Sequence, residues 1–364
     1  MKNTFGNTLS ITLFGESHGS AIGAVLDGLA PGVAIDEDFI HTRLYQRKPK
    51  AGTGTARRET DEYRILSGAV GGRTTGTPLC LVIENQCQHS GDYDALRYTP
   101  RPGHADYAAE EKYHGFQDTR GGGHFSGRVT AAVVAAGALV EAALRRHGIY
   151  IYTHIQRMAD ISDEALSQDS RAVLDTAEFP TVSREAEAAM KAHITAAGQS
   201  GDSVGGILET EIVGLPAGIG EPWFDSLESM LSHALFSIGG VKGVEFGAGF
   251  AIADMRGSEA NDAYYYDSGR VMTKTNNNGG IGGGITNGMP VRFRLAVKPT
   301  PSIYKEQMTV DLSKGTDTPL TIGGRHDPAI VHRAAPVVNA MTALCIADLL
   351  TVRYGTDFLK VGLR

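Results

Sequence analysis

Cysteine is scarce: Cys80, Cys87 and Cys345 are the only three in 364 residues, an odd count with no CxxC pair and no Cys/His spacing for a structural zinc. That excludes a disulfide-framed secreted scaffold and a metal site built on thiolates, and it suits a reducing cytoplasm. The start, MKNTFGNTLS, has no apolar stretch of the kind an export signal needs. The longest apolar run, Val129 to Leu144, includes Thr130 and Glu141 and falls short of the ~20 residues of a membrane span, so no membrane partner is expected. Excess positive charge is missing too. With 34 Lys+Arg against 41 Asp+Glu the net charge is −7, so a general nucleic-acid face is not expected, and an anionic ligand has to be held by a local arginine cluster.

What the chain has in quantity is glycine, 46 residues, above the usual ~7% and without collagen's period. Many tight turns or close backbone–ligand approaches follow. A hydrophobic content of 41% supports a substantial core. No linker, charge block or repeat divides the chain, which predicts one mixed α+β unit over residues 1–364.

Local patterns place the elements. Two β-like runs within Ser10–Leu29 flank the loop Gly15-Glu16-Ser17-His18-Gly19. Asp36 caps a helix running to about Tyr45, and a basic loop, Arg47–Arg58, follows. Strands are expected at Tyr63–Val70, Leu79–Glu84, Val204–Leu215, Val241–Asp254 and, with the clearest period-two alternation, Val291–Val297. A buried helix spans Val129–Arg146 and stops at Gly148; others run from Ser183 to near Gly198, from Pro222 to about Phe236 and from about Pro336 to Leu350. Asn276–Gly288, with its asparagines and glycines, reads as a mobile loop.

The chemistry concentrates between Arg101 and Arg128: RPGHADYAAEEKYHGFQDTRGGGHFSGR. Arginine supplies a permanent cationic fork, histidine titrates near neutrality, and glycine admits backbone N–H groups close to a ligand. In RPGHAD, Asp106 is placed to orient the His104 ring, whereas His114 lacks such a frame and is assigned to structure. The run Gly121–Gly123 enters a helix-like segment without the Gly-Lys-Ser/Thr of a P-loop or a dinucleotide fingerprint; either an anion site or a plain turn fits it. Arg128 in a first helical turn opposes the helix dipole unless an anion sits between. GESHG has the G-x-S-x-G form of a nucleophile elbow, but a strand-like run follows where the elbow needs a helix; a structural turn and a ligand contact through Ser17 and His18 remain alternatives. The knot Arg325-His326-Asp327 is either a capped turn before Pro328 or a carboxylate beside an anion-binding arginine.

Taken in order, GESHG, RPGHAD, the triple glycine before an arginine-bearing helix, Lys298-Pro299-Thr300-Pro301-Ser302 and Gly324-Arg325-His326-Asp327-Pro328 closely resemble the chorismate synthase family, from Asn7 to about Leu350. The resemblance implies a β-α-β sandwich with helices between antiparallel sheets, a homotetramer, and anti-1,4-elimination of phosphate from 5-enolpyruvylshikimate 3-phosphate with reduced FMN (FMNH2) and no net redox change. It implies His18 and His104 as catalytic histidines, Asp327 as the acid assisting proton removal, and Ser17, Arg47, Arg101, Arg128 and Arg325 as substrate contacts. Flavin contacts are implied at His124, Phe125, Ser126, Gly239, Gly240, Gly283, Lys298, Pro299, Thr300, Pro301, Ser302 and Arg325. No segment resembles a nicotinamide domain, so an external flavin reductant is expected rather than intrinsic use of NADPH. The chain departs from the family at two points: His124-Phe125-Ser126-Gly127-Arg128 stands where many members read Arg-Ser-Ser-Ala-Arg, and Thr53 stands where an arginine is frequent.

Overall fold

Two long helices that are apolar on nearly every face have to be covered on all sides. The computed structural model, which describes residues 2–50, 54, 60–86, 98–324 and 326–360, does this by sandwiching them between two antiparallel sheets. The helix Thr130–Arg146 is buried continuously from Ala131 to Leu144, and the helix Val331–Tyr354 almost as completely. They meet face to face at Gly137, where a Cβ would lie 2.4 Å from the Ala340 Cβ; only glycine permits that spacing. Both helices are long and apolar enough to cross a membrane by composition, yet their apolar windows are 89% and 94% buried in the protein.

One sheet runs, in spatial order, Thr4–Phe5, Ser10–Gly15, Ala21–Asp27, Leu79–Glu84, Tyr63–Ser67. Its inner face carries Ile22, Ala24, Leu26, Leu79, Leu81 and Ile83, all buried in the core cluster. The other runs Val241–Phe246, Val291–Val297, Gly206–Val213, Tyr150–Met158, Ile161–Ser162. Here Val291, Phe293, Leu295 and Val297 point inward, while Arg292 pairs with Glu211 at 2.8 Å and Arg294 with Glu245 at 2.9 Å on the outer face. The Asp348 carboxylate, buried in the C-terminal helix, accepts from the backbone N–H groups of Asn7, Thr8 and Leu9 at 2.8, 2.7 and 2.9 Å and so pins the first sheet to the core. The architecture is that of the α+β sandwich implied by the resemblance.

Several boundaries differ from expectation for identifiable reasons. Tyr63–Val70 breaks at Gly68, whose φ of +80° turns the chain into the separate short strand Ala69–Val70. Val241–Asp254 is a strand only to Phe246 and then a 3₁₀ turn, Gly249–Asp254. The helix expected at Pro222 starts at Leu227, because Ser226 supplies the cap to the Ser229 N–H at 3.1 Å. Helices Asp106–Tyr113 and Gln168–Thr176 were not anticipated; both are short and mostly exposed, so neither shows a broad apolar stripe. Nor is Asn276–Gly288 a free loop: Asp262 accepts from the Asn277 and Asn278 backbone N–H groups at 2.8 and 2.9 Å, and Ile281–Gly282 pairs with Ile285–Thr286.

The last helix begins at Val331, so Pro336 lies inside it and cannot donate to the His332 carbonyl. The His332 ring itself stacks on Phe179 at 5.4 Å, both ring nitrogens lack a hydrogen-bond partner, and burial pushes its pKa down to about 4. The unfolded chain therefore binds a proton that the folded chain refuses between pH 6.5 and about 4. Stability is expected to fall as pH drops through that window, by on the order of 3 kcal/mol from this residue. Melting temperatures of His332→Phe should decline less than those of the wild type between pH 6.5 and 4; identical slopes would acquit the residue.

Candidate active site

The site assembles where two glycine-rich turns meet. The turn Gly15–Gly19 joins strands Ser10–Gly15 and Ala21–Asp27, and its Ser17 N–H donates to the Gly123 carbonyl at 3.0 Å. Asn85, just past the strand Leu79–Glu84, donates from Nδ2 to the Glu16 and Gly19 carbonyls at 3.0 and 2.9 Å. His124 donates from Nδ1 to the Gly15 carbonyl at 2.8 Å, with the proton assigned by its acceptor. The His124 imidazole thus fastens the Ser17–His18 turn to the glycine run.

Gly121, Gly122 and Gly123 all have positive φ, at 59°, 79° and 53°. A Cβ on Gly121 would lie 2.5 Å from Cδ2 and Nε2 of His18 and 3.1 Å from the Ser17 Oγ; one on Gly122 would lie 3.4 Å from Cε1 of His104. The two histidines therefore sit on adjacent glycines. The run does not open the long helix, contrary to the dipole argument: Ser126 Oγ accepts from the Arg128 N–H at 3.3 Å, a 3₁₀ turn Gly127–Val129 intervenes, and the helix starts at Thr130.

His104 Nδ1 donates to Asp106 Oδ1 at 2.5 Å, the orienting contact anticipated from RPGHAD. The same carboxylate accepts from Arg101 at Nε (2.7 Å), NH2 (2.9 Å) and the backbone N–H (3.0 Å). Burial alone raises the Asp106 carboxyl, but the bonds from Arg101 and His104 overcome it and hold the group well below the usual carboxylate range. Lys298–Ser302 runs alongside: Lys298 Nζ donates to the Gly103 carbonyl, Pro301 Cβ is 3.3 Å from where a Gly103 Cβ would be, and Arg101 NH1 lies 3.5 Å from Ser302 Oγ. A narrow cleft opens between Arg101, Asp106, Asp118, Gly122, Phe125 and Leu312. The hydroxyls of Ser17 and Thr300 are buried without a hydrogen-bond partner.

A second cationic group lies at the start of the alanine-rich helix. Arg47, the last residue of helix Glu37–Arg47, bonds Asp61 Oδ2 at 2.9 Å, and Arg128 bonds Asp61 Oδ1 and reaches Asn85 Oδ1 at 3.0 Å. Asp327 pairs with Arg333, whose Nε donates to the Arg47 carbonyl at 2.9 Å, so it joins the same group. Gly240 accepts from the Lys298 N–H at 2.9 Å, and open space surrounds the position of a Cβ on Gly239 or Gly283. Among the described residues no contact ties Gly283 to the histidines; Arg325, Thr53, Arg57, Arg58 and Cys87 lie outside the described residues.

The model of the family described as chorismate synthase matches residues 9–351. The chain belongs to the chorismate synthase family. Chorismate synthases of Thermococcus kodakarensis and Aeropyrum pernix are 46% and 44% identical to it, covering 96% and 97% of this chain and 97% and 93% of their own. That of Parabacteroides distasonis is 42% identical over 96% of this chain and 98% of its own. A crystal structure of chorismate synthase superposes with a TM-score of 0.75 at 28% identity, covering 98% of this chain and 95% of that one.

Within this chorismate synthase fold, sequence reasoning overlooked Asp61, Asn85 and Arg333. None of the three carried a sign readable from sequence: the clearest marker at Asp61 is a φ of +52°, a backbone region that favours glycine, asparagine and aspartate, and φ appears only in the fold. Gly121→Ala tests the close contact. The added methyl displaces the His18 ring and strains a backbone of φ +59°, so a loss of turnover of about 100-fold is expected together with a melting temperature lower by a few degrees. Unchanged turnover would mean that the ring does not need its present place.

Proposed function

We propose that this chain catalyses the anti-1,4-elimination of phosphate from 5-enolpyruvylshikimate 3-phosphate, giving chorismate at the end of the shikimate pathway, as a carbon–oxygen lyase dependent on reduced FMN. The observation that carries this is a full-length family match joined to two histidines on adjacent glycines, bordered by Arg101, Arg47 and Arg128.

The residues fit a flavin beside a polyanion. Positive-φ glycines let backbone approach a flat ring, two buried hydroxyls, Ser17 and Thr300, lack partners, and Gly239 and Gly283 leave open space. His124–Ser126, Gly239–Gly240, Gly283, Lys298–Ser302 and Arg325 would hold it. Reduced FMN, when bound, supplies an electron-rich ring that assists departure of phosphate and proton without net oxidation. The protein does the rest. Arg47, Arg101, Arg128 and Arg325 bind carboxylates and phosphate, each charge-assisted contact contributing ~1.5–3 kcal/mol. Asp106 fixes His104 with Nδ1–H as donor, leaving Nε2 beside the glycine wall; that nitrogen and the His18 ring are the groups through which a proton reaches the developing oxyanion. Asp327, oriented by Arg333, accepts the proton that the elimination releases.

A serine hydrolase is disfavoured because Ser17 Oγ has no histidine partner and its turn joins two strands. The exposed aromatics Trp223, Phe224, Phe250 and Tyr266 support self-association; its stoichiometry, a homotetramer, is assigned from the family resemblance. The burial of both long apolar helices supports a soluble enzyme; a cytoplasmic location and an external source of reduced flavin are assigned from the family resemblance alone.

Anaerobic incubation with reduced FMN and 5-enolpyruvylshikimate 3-phosphate should release phosphate and chorismate in equal amounts; a folded, flavin-saturated enzyme producing neither would sink the proposal. His104→Ala is expected to lower kcat by about 10²–10⁴ with substrate affinity changed far less. An unaltered kcat would remove the residue from proton transfer.

A further inference from the structure

Asp61 is the most enclosed carboxylate at the site. Its side chain has no solvent exposure, and the guanidiniums of Arg47 and Arg128 beside it are each only 4% exposed. It gives one oxygen to each: Oδ2 to Arg47 at 2.9 Å and Oδ1 to Arg128. The backbone is committed to this task, since φ at Asp61 is +52°, a region few side chains enter without cost.

The charges show why a carboxylate is needed. Burial pushes the Arg47 pKa down, and Arg333 and Arg128 add to that by repulsion, while Asp61 opposes them. One carboxylate between two guanidiniums leaves a net charge of +1, so the group neutralises its own repulsion only in part and keeps an attraction for an anion. Other donors are already aimed: Arg47 NH1 reaches the Gly127 carbonyl at 3.4 Å and Thr130 Oγ1 at 3.3 Å, Arg128 Nε reaches Asn85 at 3.0 Å, and Arg47 Nε is buried without a partner. Each guanidinium is thereby held from behind, Arg128 also through NH2 on the Glu84 carbonyl at 3.4 Å, and Arg47 keeps one unpartnered N–H.

We propose that Asp61 is a positioning residue for substrate binding: without touching the substrate, it joins Arg47 and Arg128 into one rigid anion-binding unit. This rests on the function proposed above, in which both arginines meet the substrate's anionic groups. Removing the carboxylate lets two like charges separate and spreads their donors over many geometries. The binding of the phosphorylated acid weakens, whereas proton transfer at His18 and His104 is reached by other contacts.

A double-mutant cycle tests this, with kcat and KM for 5-enolpyruvylshikimate 3-phosphate measured anaerobically at saturating reduced FMN. Asp61→Asn should raise KM by about tenfold or more and change kcat much less; in an Arg128→Ala background the same substitution should change KM by less than about threefold, because contacting residues couple. Equal factors in both backgrounds would overturn the proposal, since a purely structural role adds to the loss of Arg128. If Asp61→Asn fails to fold, having stranded two buried cations, Asp61→Glu keeps the charge and moves it by one methylene. It should again raise KM, with the same dependence on Arg128; a wild-type KM would overturn the assignment. Should the wild type not turn over at all, the proposed function fails by itself. The cycle is then read on calorimetric binding of inorganic phosphate, where additivity counts against Asp61 as before.

Discussion

The site depends on a contact between two main chains. The Ser17 amide bonds the Gly123 carbonyl, and around that bond the turn carrying Ser17 and His18 presses on a glycine run in which Gly121 and Gly123 leave no room for a Cβ. Left-handed glycines pay an entropic cost on folding, but only they let a backbone come within van der Waals reach of two imidazoles at once. Asn85 and His124 then bond three carbonyls of the same turn, Glu16, Gly19 and Gly15. In this light His124 is a strut rather than a lost cation. The bond from its Nδ1 to the Gly15 carbonyl at 2.8 Å stiffens the loop that carries the neighbouring histidine.

Buried cations set the second constraint. Burying a guanidinium is costly unless it is paired and hydrogen-bonded, and each such arginine here backs onto a carboxylate: Arg101 on Asp106, Arg47 and Arg128 on Asp61, Arg333 on Asp327. The pairing immobilises the arginines before substrate arrives, which reduces the ordering cost at binding. The stoichiometry also matters. Three carboxylates face four guanidiniums, so the group retains attraction for a polyanion while most of its self-repulsion is cancelled.

Much of this was legible in sequence, for reasons that also explain what was not. Val291–Val297 announced itself through strict alternation, and Thr130–Arg146 through unbroken apolarity, because each signal comes from the element's own residues. Asp106 was assigned to His104 correctly because they stand two positions apart in the chain. Asp61 meets Arg128 across 67 positions and Asn85 meets it across 43, so their roles exist only once the sheet has formed. Pro336 misled in the opposite direction: proline suggests a helix start, but burial against the core holds the helix through it from Val331 to Tyr354.

Asp106 ties these constraints together. Its carboxylate serves Arg101 through two side-chain bonds and His104 through one, so it fixes an anion-binding fork and an imidazole tautomer at the same time. Because Arg101 and His104 hold it well below the ordinary carboxylate range, it stays an acceptor throughout the range in which histidines titrate. Proton movement at this corner of the site is thus confined to the imidazole, and the orienting group does not compete for the proton it helps to place. A neutral amide at position 106 would keep the shape of that contact but lose its charge: Arg101 would lose its counter-ion, and the ring would lose the acceptor that selects Nδ1–H. Under the proposed function, substrate binding by Arg101 and proton placement at His104 are coupled through this one side chain, which the RPGHAD segment brings within reach of both.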